Sequence, residues 1–318
     1  MKDALCYYPR MRRNLSGLIL FVVILAVAAF AVIAVFSKGR QRNTAERETE
    51  VSVDPHEGMV YIWDGFDFVW MTPEEGVPVN TIGEEDMTLE GGAPVYTGSA
   101  YTAERGIDVS EHQYNVDWNA VKNSGISFAY IRAGRRGCTE GGLFKDPWFE
   151  TNFEGAKAAG LKVGVYFFSQ AVNATEAAEE AEFLLDIIKD KEIDLPVAYD
   201  LERVENEPST RIDGLIDRET GKGKNKDLLT SLPKAFLTVI EARGYKPCLY
   251  LNRVQGYYWY HMKELSNYML WVSNPLIEGD SIPRFYYAHD IWQYTTDASV
   301  PGVEGPVDVN LMFVPKTE

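Results

Sequence analysis

Leu161–Ser169 reads LKVGVYFFS and Leu195–Glu202 reads LPVAYDLE, two short and nearly unbroken apolar runs with a helix-patterned segment between them. Strands buried on both faces look like this, because the helices that connect parallel strands also cover them. The alternation extends outward in both directions. Upstream, Gly106–Ser110 and Ile126–Ala133 (ISFAYIRA) are strand-like, and Val116–Asn123 (VDWNAVKN) between them is a helix stopped by Gly125. Asp146-Pro147 opens another helix that ends at Gly160, with proline at the entry and glycine at the exit. Asn173 and Glu176 form a capping box for a helix running through Lys191. Downstream, residues 226–243 are helical with Pro233 as a kink or break, and Lys246–Asn252 (KPCLYLN) is a strand. Three further strand-like runs, Tyr268–Ser273, Asp290–Tyr294 and Val307–Phe313, follow with few helices between them. Eight candidate strands predict an α/β barrel of TIM-like type rather than an open doubly wound sheet, irregular in its last part.

The chain has 318 residues, 46% of them hydrophobic and 25% charged, a globular composition. Its formal charge of −16 excludes a nucleic-acid binder, which needs basic patches to displace counterions. Residues 1–42 hold seven Lys/Arg and one acid, so the remainder carries −22. Three cysteines exclude a disulfide scaffold, and their spacing leaves open whether Cys138 and Cys248 pair.

Residues 15–36 (LSGLILFVVILAVAAFAVIAVF) carry no charge over 22 positions, enough to cross a hydrocarbon core of ~30 Å as a helix. A cleaved signal peptide would have a shorter apolar run, so a single transmembrane anchor is expected. Residues 1–14 are then a cytoplasmic N-terminus, 37–57 a polar juxtamembrane linker, 58–104 a small β-rich stalk or packing segment, and 105–318 the barrel. Basic residues flank the span on both sides, so charge alone does not orient it. Within 59–71 (MVYIWDGFDFVWM), Asp64-Gly65 predicts a hairpin with a type I′ turn. The aromatics there (Trp63, Phe66, Phe68, Trp70) are expected to form the core of a small sheet, the alternative being a platform for glycans.

Acidic residues fall at strand ends, where parallel α/β folds gather their chemistry. Asp108 follows the first strand start in GIDVSEHQ, Asp200 and Glu202 close LPVAYDLE, and Asp308 begins the last strand in VDVNLMF. Residues i and i+2 of a strand share a face with Cα atoms about 6–7 Å apart, so Asp200 and Glu202 look into one space. Carboxylates crowded in this way cannot all ionise cheaply, and at least one must keep its proton toward neutral pH. Glycosidic cleavage needs such a pair, one acid for the leaving oxygen and one carboxylate for the positive sugar centre. Tyr166, Trp271 and the run Trp292-Gln293-Tyr294 lie at the ends of the same strands and suit sugar rings. No metal or other cofactor is expected. The four histidines (His56, His112, His261, His289) lack metal-ligand spacing, although a hard-cation site or a metal-dependent deacetylase using His289 or His112 is a weaker alternative.

GIDVSEHQ with VDW, VGVYFFS, AYDLE, ARGYKPCLY, LWVSNP, WQYT and DVN, in that order, resemble the family-25 glycoside hydrolases, the N-acetylmuramidase lysozymes of autolysins and endolysins. The resemblance covers about Arg105–Pro315. It implies a flattened, irregular β/α barrel that cleaves the β-1,4 bond from N-acetylmuramic acid to N-acetylglucosamine in peptidoglycan. It further implies Glu202 as general acid, Asp200 as partner carboxylate, Asp108 and Asp308 as flanking acids, and Tyr166 on the sugar or the developing charge. Asn310, in the late DVN, joins the substrate side. The chain departs from the family pattern at Arg132-Ala133-Gly134-Arg135-Arg136-Gly137, whose arginines could meet muramyl or stem-peptide carboxylates. The polar insertion 205–226 is expected beside the cleft. The implied partners are peptidoglycan glycan strands and, through residues 15–36, the bacterial cell membrane, with the barrel facing the wall. A catalytically silent glycan-binding scaffold on the same fold is the competing expectation.

Overall fold

The computed structural model describes residues 54–204, 207, 209–276 and 281–316. The expected span at 15–36 lies outside these residues. Among the described residues no helix is long and apolar enough to cross a membrane.

Two hairpins come first: β1 (Val60–Trp63) with β2 (Phe68–Met71), and β3 (Met87–Glu90) with β4 (Ala93–Tyr96). The first lies where Asp64-Gly65 places it, but its turn is longer than the expected type I′. Trp63 pairs with Phe68, leaving four loop residues. The Asp64 carboxylate accepts from the Phe66 and Asp67 amides at 2.8 and 2.9 Å, closing the turn through its side chain.

The barrel follows, built from β5 (Tyr101–Val109), α1 (Trp118–Asn123), β6 (Phe128–Arg136), β7 (Leu143–Lys145), α2 (Phe149–Ala158), β8 (Lys162–Ser169), α3 (Ala174–Ile188), β9 (Val197–Leu201), α4 (Lys226–Ala242), β10 (Pro247–Asn252), β11 (Met269–Ser273), β12 (Ile291–Ala298) and β13 (Val307–Pro315). Eight strands close on themselves in the order β5-β6-β8-β9-β10-β11-β12-β13, and β7 pairs only with the outer end of β6. Pairing is parallel from β5 round to β12, whereas β13 runs antiparallel to both of its neighbours. A parallel neighbour requires a crossover, and a helix supplies it only as far as β10. Beyond β10 the crossover is irregular, and a short link turns β12 back into β13, so the alternation breaks in the late part of the chain as expected.

Side-chain caps set the helix starts. Asp117 accepts from the Asn119 and Ala120 amides, and Asn173 accepts from Glu176. Helix α4 continues through Pro233, which has no amide proton to give. The barrel interior is narrow and aromatic, filled by Phe128, Tyr130, Tyr250 and Trp271. Glycine makes room for the rings: a Cβ on Gly106 would sit 2.2 Å from Phe128, and one on Gly164 would sit 2.5 Å from Tyr130.

The helices leave the outer face of β11–β13 uncovered, and residues 58–104 help to cover it. Tyr96 packs edge-on against Phe313 with ring centroids 5.8 Å apart. The Asn80 amide donates to the Tyr286 carbonyl, and Ala288 donates to Pro78. Ile62, Val77, Ile82 and Met87 join the core that lies outside the barrel sheet. His56–Glu318 is accordingly one compact unit.

Candidate active site

The cleft opens at the C-terminal ends of the parallel strands and measures roughly 520 Å³. Asp108 on β5, Arg132 on β6, Tyr166 on β8, Asp200 on β9 and Trp271 on β11 all line it, with Glu202 just past β9 and Asp308 at the start of β13. Asp200 is buried, while Glu202 and Asp308 are half-buried. Leu201, between the two acids of β9, is turned to the outer core.

Amide groups hold the acids in place. Asn310 Nδ2 donates to Asp108 Oδ2 at 2.8 Å, and Gln293 Nε2 donates to the same oxygen at 3.0 Å and to Asp308 Oδ2 at 3.3 Å. Each amide is oriented from behind. Trp271 Nε1 donates to Asn310 Oδ1 at 2.8 Å, and the Tyr250 hydroxyl donates to Gln293 Oε1 at 2.9 Å. Asp108 and Asp308 are register partners across β5 and β13.

Burial dominates the electrostatics. It raises the Asp108 carboxyl above its ordinary range, although the Asn310 and Gln293 hydrogen bonds pull it back. Burial raises Asp308 too, reinforced by the charge of Asp108. Asp200 is pushed well up, first by burial and then by the charges of Glu202 and Asp108, with Arg132 opposing. Oδ1 of Asp200 has no hydrogen-bond partner among the described residues. Burial and the neighbouring charges thus favour the protonated form of Asp200. Burial also pushes the Tyr166 phenol well above its usual range, so that it stays neutral beside Arg132.

Several expected substrate contacts lie elsewhere. Trp292 and Tyr294 belong to the outer core, because alternation along β12 sends Ile291 and Gln293 inward instead. The Trp292 indole donates to the Asn274 carbonyl at 2.7 Å, and Tyr294 takes a 3.5 Å bond from Arg105. Arg132 reaches the cleft with its guanidinium already engaged: Nε meets Asp146 at 2.8 Å and Nη2 meets Glu111 at 2.7 Å. Arg136 is buried against Glu180 at 2.7 Å. Arg135, 3.4 Å from Glu111 and the most exposed of the three, is left as the cation able to face an anion. His112 lines the cleft, whereas buried His289 lies at the opposite end of the barrel among residues that begin β10–β12. Cys138 and Cys248 are both free thiols. Glu207 brings the expected insertion to the cleft edge, next to Val204 just before it.

Tyr250, Phe168 and Glu111 also line the cleft and escaped the sequence reading. Alternation marks the first two, since Tyr250 lies between outward Leu249 and Leu251, and Phe168 lies two residues beyond Tyr166. Glu111 gave no such signal, because it belongs to a one-turn helix after β5.

The family model for glycosyl hydrolases family 25 matches residues 107–303. The chain belongs to this family. Over 207 residues it is 28% identical to the autolytic lysozyme of Clostridium acetobutylicum, covering 65% of this chain and 55% of that protein. Over 210 residues it is 29% identical to lysozyme M1 of Streptomyces globisporus, covering 65% and 66%. It therefore spans between about half and two-thirds of the length of these relatives. The modular autolysin LytC from Streptococcus pneumoniae has the same fold, with a TM-score of 0.55 and 20% identity over 71% of this chain and 51% of that one. The family match begins at Ile107, so the two hairpins fall outside it.

Proposed function

We propose that this protein is a peptidoglycan hydrolase of the lysozyme class, cleaving the β-1,4 bond between N-acetylmuramic acid and N-acetylglucosamine. The observation that carries the reading is the placing of Asp200 and Glu202 on one cleft, opposite the Asp108–Asp308 pair. The family match and the two lysozyme relatives support it. Asp200 and Glu202 hold a proton between them, and with substrate bound it sits on Glu202, leaving Asp200 ionised beside the sugar. From Glu202 it passes to the glycosidic oxygen, which leaves with the bonding electron pair. The sugar cation is met by Asp200, or by the substrate's own acetamido oxygen with Asp200 orienting that group. Water then attacks C1 and returns its proton to Glu202. The amides of Asn310 and Gln293 keep Asp108 and Asp308 fixed beside this exchange.

The charge-free segment 15–36 supports a single-pass tether in the bacterial cell membrane, with the N-terminus in the cytoplasm and the barrel facing the wall. Peptidoglycan lies on that side, and a tether confines cleavage to wall near the membrane, which fits local remodelling.

The test is incubation of the full chain with purified peptidoglycan and mass analysis of the products. New reducing muramic-acid ends are expected, with turnover falling about 10²–10⁴-fold in Glu202→Gln. Binding without cleavage would overturn the hydrolase in favour of a silent glycan-binding scaffold. A glycosyl adduct trapped on Asp200 would select direct attack over the acetamido route.

A further inference from the structure

The β1–β2 hairpin was expected to keep its aromatics as a core, and instead it turns them outward. Strand alternation splits the hairpin cleanly: Ile62 enters the core with Val60, Val69 and Met71 packed beside it. The opposite face carries Tyr61 and Trp63 from β1 across from Trp70 and Phe68 of β2. Tyr61, Phe68 and Trp70 are 58%, 46% and 44% exposed, a large apolar surface for a protein to leave in water. The rings brace one another, with Tyr61 and Phe68 stacked at 5.4 Å, Tyr61 and Trp70 tilted at 5.1 Å, and His56 stacked on Trp70 at 4.1 Å. A groove of roughly 220 Å³ runs along the edge of this face, between Tyr61, Trp63, Phe68 and residues 283–286. The guanidinium of Arg284 lies 5.8 Å from the Phe68 ring centre.

The hairpin tip lies at the catalytic end of the barrel. Asp64 Oδ2 accepts from the Tyr258 hydroxyl at 2.6 Å. A Cβ on Gly65 would be 3.0 Å from Val254, two residues beyond the C-terminal end of β10. Phe66 reaches Gly221 in the connection that follows β9. The aromatic face therefore continues from the end of the molecule where the acid cleft opens.

We propose that this face is a second glycan-binding surface, which packs the sugar rings of a peptidoglycan strand lying beyond the cleft. The proposal rests on the peptidoglycan reading above. Pre-ordered aromatic rings take the C–H faces of sugars at little cost in side-chain entropy. A bilayer surface fits less well. Residues 43–318 carry −22, and Asp54, Glu57 and Asp67 border the hairpin, so an anionic membrane repels the region that would have to insert.

The test measures co-sedimentation of the full chain in detergent with purified sacculi. Glu202→Gln is present throughout so that strands stay uncut. Tyr61→Ser/Phe68→Ala/Trp70→Ala is expected to weaken binding about tenfold or more, since buried aromatic contacts dominate such surfaces. Its thermal midpoint should stay within a few degrees of the parent, because the rings removed are exposed. Leu89→Ala removes a comparably exposed apolar side chain from the β3–β4 hairpin and should leave binding unchanged. Parental binding by the triple variant would overturn the proposal, as would an equal loss in Leu89→Ala. It would also be overturned if brominated phosphatidylglycerol vesicles quenched Trp70 while sacculus affinity was insensitive to the triple change. Sedimentation does not depend on cleavage. If the protein with Glu202 intact cuts nothing in a separate digestion, yet the triple change still lowers affinity, the hydrolase falls and this surface stands; the reverse pattern would do the opposite.

Discussion

Asp308 and Asp108 face each other across β5 and β13, and both hold carboxyls raised above the ordinary range. The folded protein keeps protons there that the unfolded chain releases near pH ~4, so this pair's contribution to stability declines as pH rises above about 4. Asp308→Asn removes one of the crowded charges while its amide can still donate to Asp108 and its oxygen can still accept from Gln293. The expected result is a melting temperature a few degrees higher at pH 8, an advantage that disappears near pH 4, together with lost hydrolysis. Calorimetry of both proteins at the two pH values checks it. Asp146 is the contrasting case, a carboxylate that is buried and well partnered. It accepts from Arg132 Nε at 2.8 Å and from the Glu111 and Trp148 amides at 2.9 Å each. Arg132→Met strands that charge and frees Glu111 on the cleft wall, at a cost of roughly 3–5 kcal/mol in urea denaturation. A milder loss would mean that the two amides alone satisfy Asp146.

At the scale of elements, the barrel depends on strands that come close enough to pack rings inside a narrow interior. Gly106 on β5 and Gly164 on β8 permit this, each lying under an aromatic ring of β6. Gly106→Ala should destabilise by about 1–3 kcal/mol through overpacking against Phe128. Adding Phe128→Leu should recover part of that loss, and a double-mutant cycle measures the coupling. If the two changes were simply additive, the glycine would have some other purpose. The strand–helix alternation was legible as far as β10 because a periodic helix separates successive barrel strands there, and β11–β13 were legible from their apolar runs alone. The start of β5 was harder to read. It begins at Tyr101, several residues before the expected strand, because YTAER (101–105) has no apolar run, and its pairing with β13 through Pro315 makes it a strand. Three-residue β7 is likewise made by its partner, the outer end of β6.

For the whole molecule, residues 58–104 do the covering that helices do on the other flank of the barrel. Calorimetry of the full chain should show residues 56–318 unfolding in a single transition, since Ile62, Val77, Ile82 and Met87 share one core with the barrel strands. A separate early transition lost on truncation to residue 105 would instead mark an independent stalk. The proposed tether makes a further expectation: deleting residues 15–36 should move the protein from the membrane to the soluble fraction, and persistence in the membrane would overturn the anchor.

The sequence by itself determined the local and periodic features. Apolar runs broken by capped helices announced an α/β barrel, and Asp200 and Glu202 at positions i and i+2 of one strand had to share a face whatever surrounded them. Those inferences needed only backbone geometry. Tertiary structure decided which face of each strand met the cleft. Trp292 and Gln293 are adjacent in sequence, but closure of the ring sends Gln293 to the acids and Trp292 to the outer core. It also decided which charges were free to act, since the partners of Arg132 and Arg136 come from the loop after β5, the turn before α2, and α3. The aromatic face of the first hairpin shows the same limit. Alternation puts its four large rings on one side, but only packing of the other side against the barrel leaves those rings facing water.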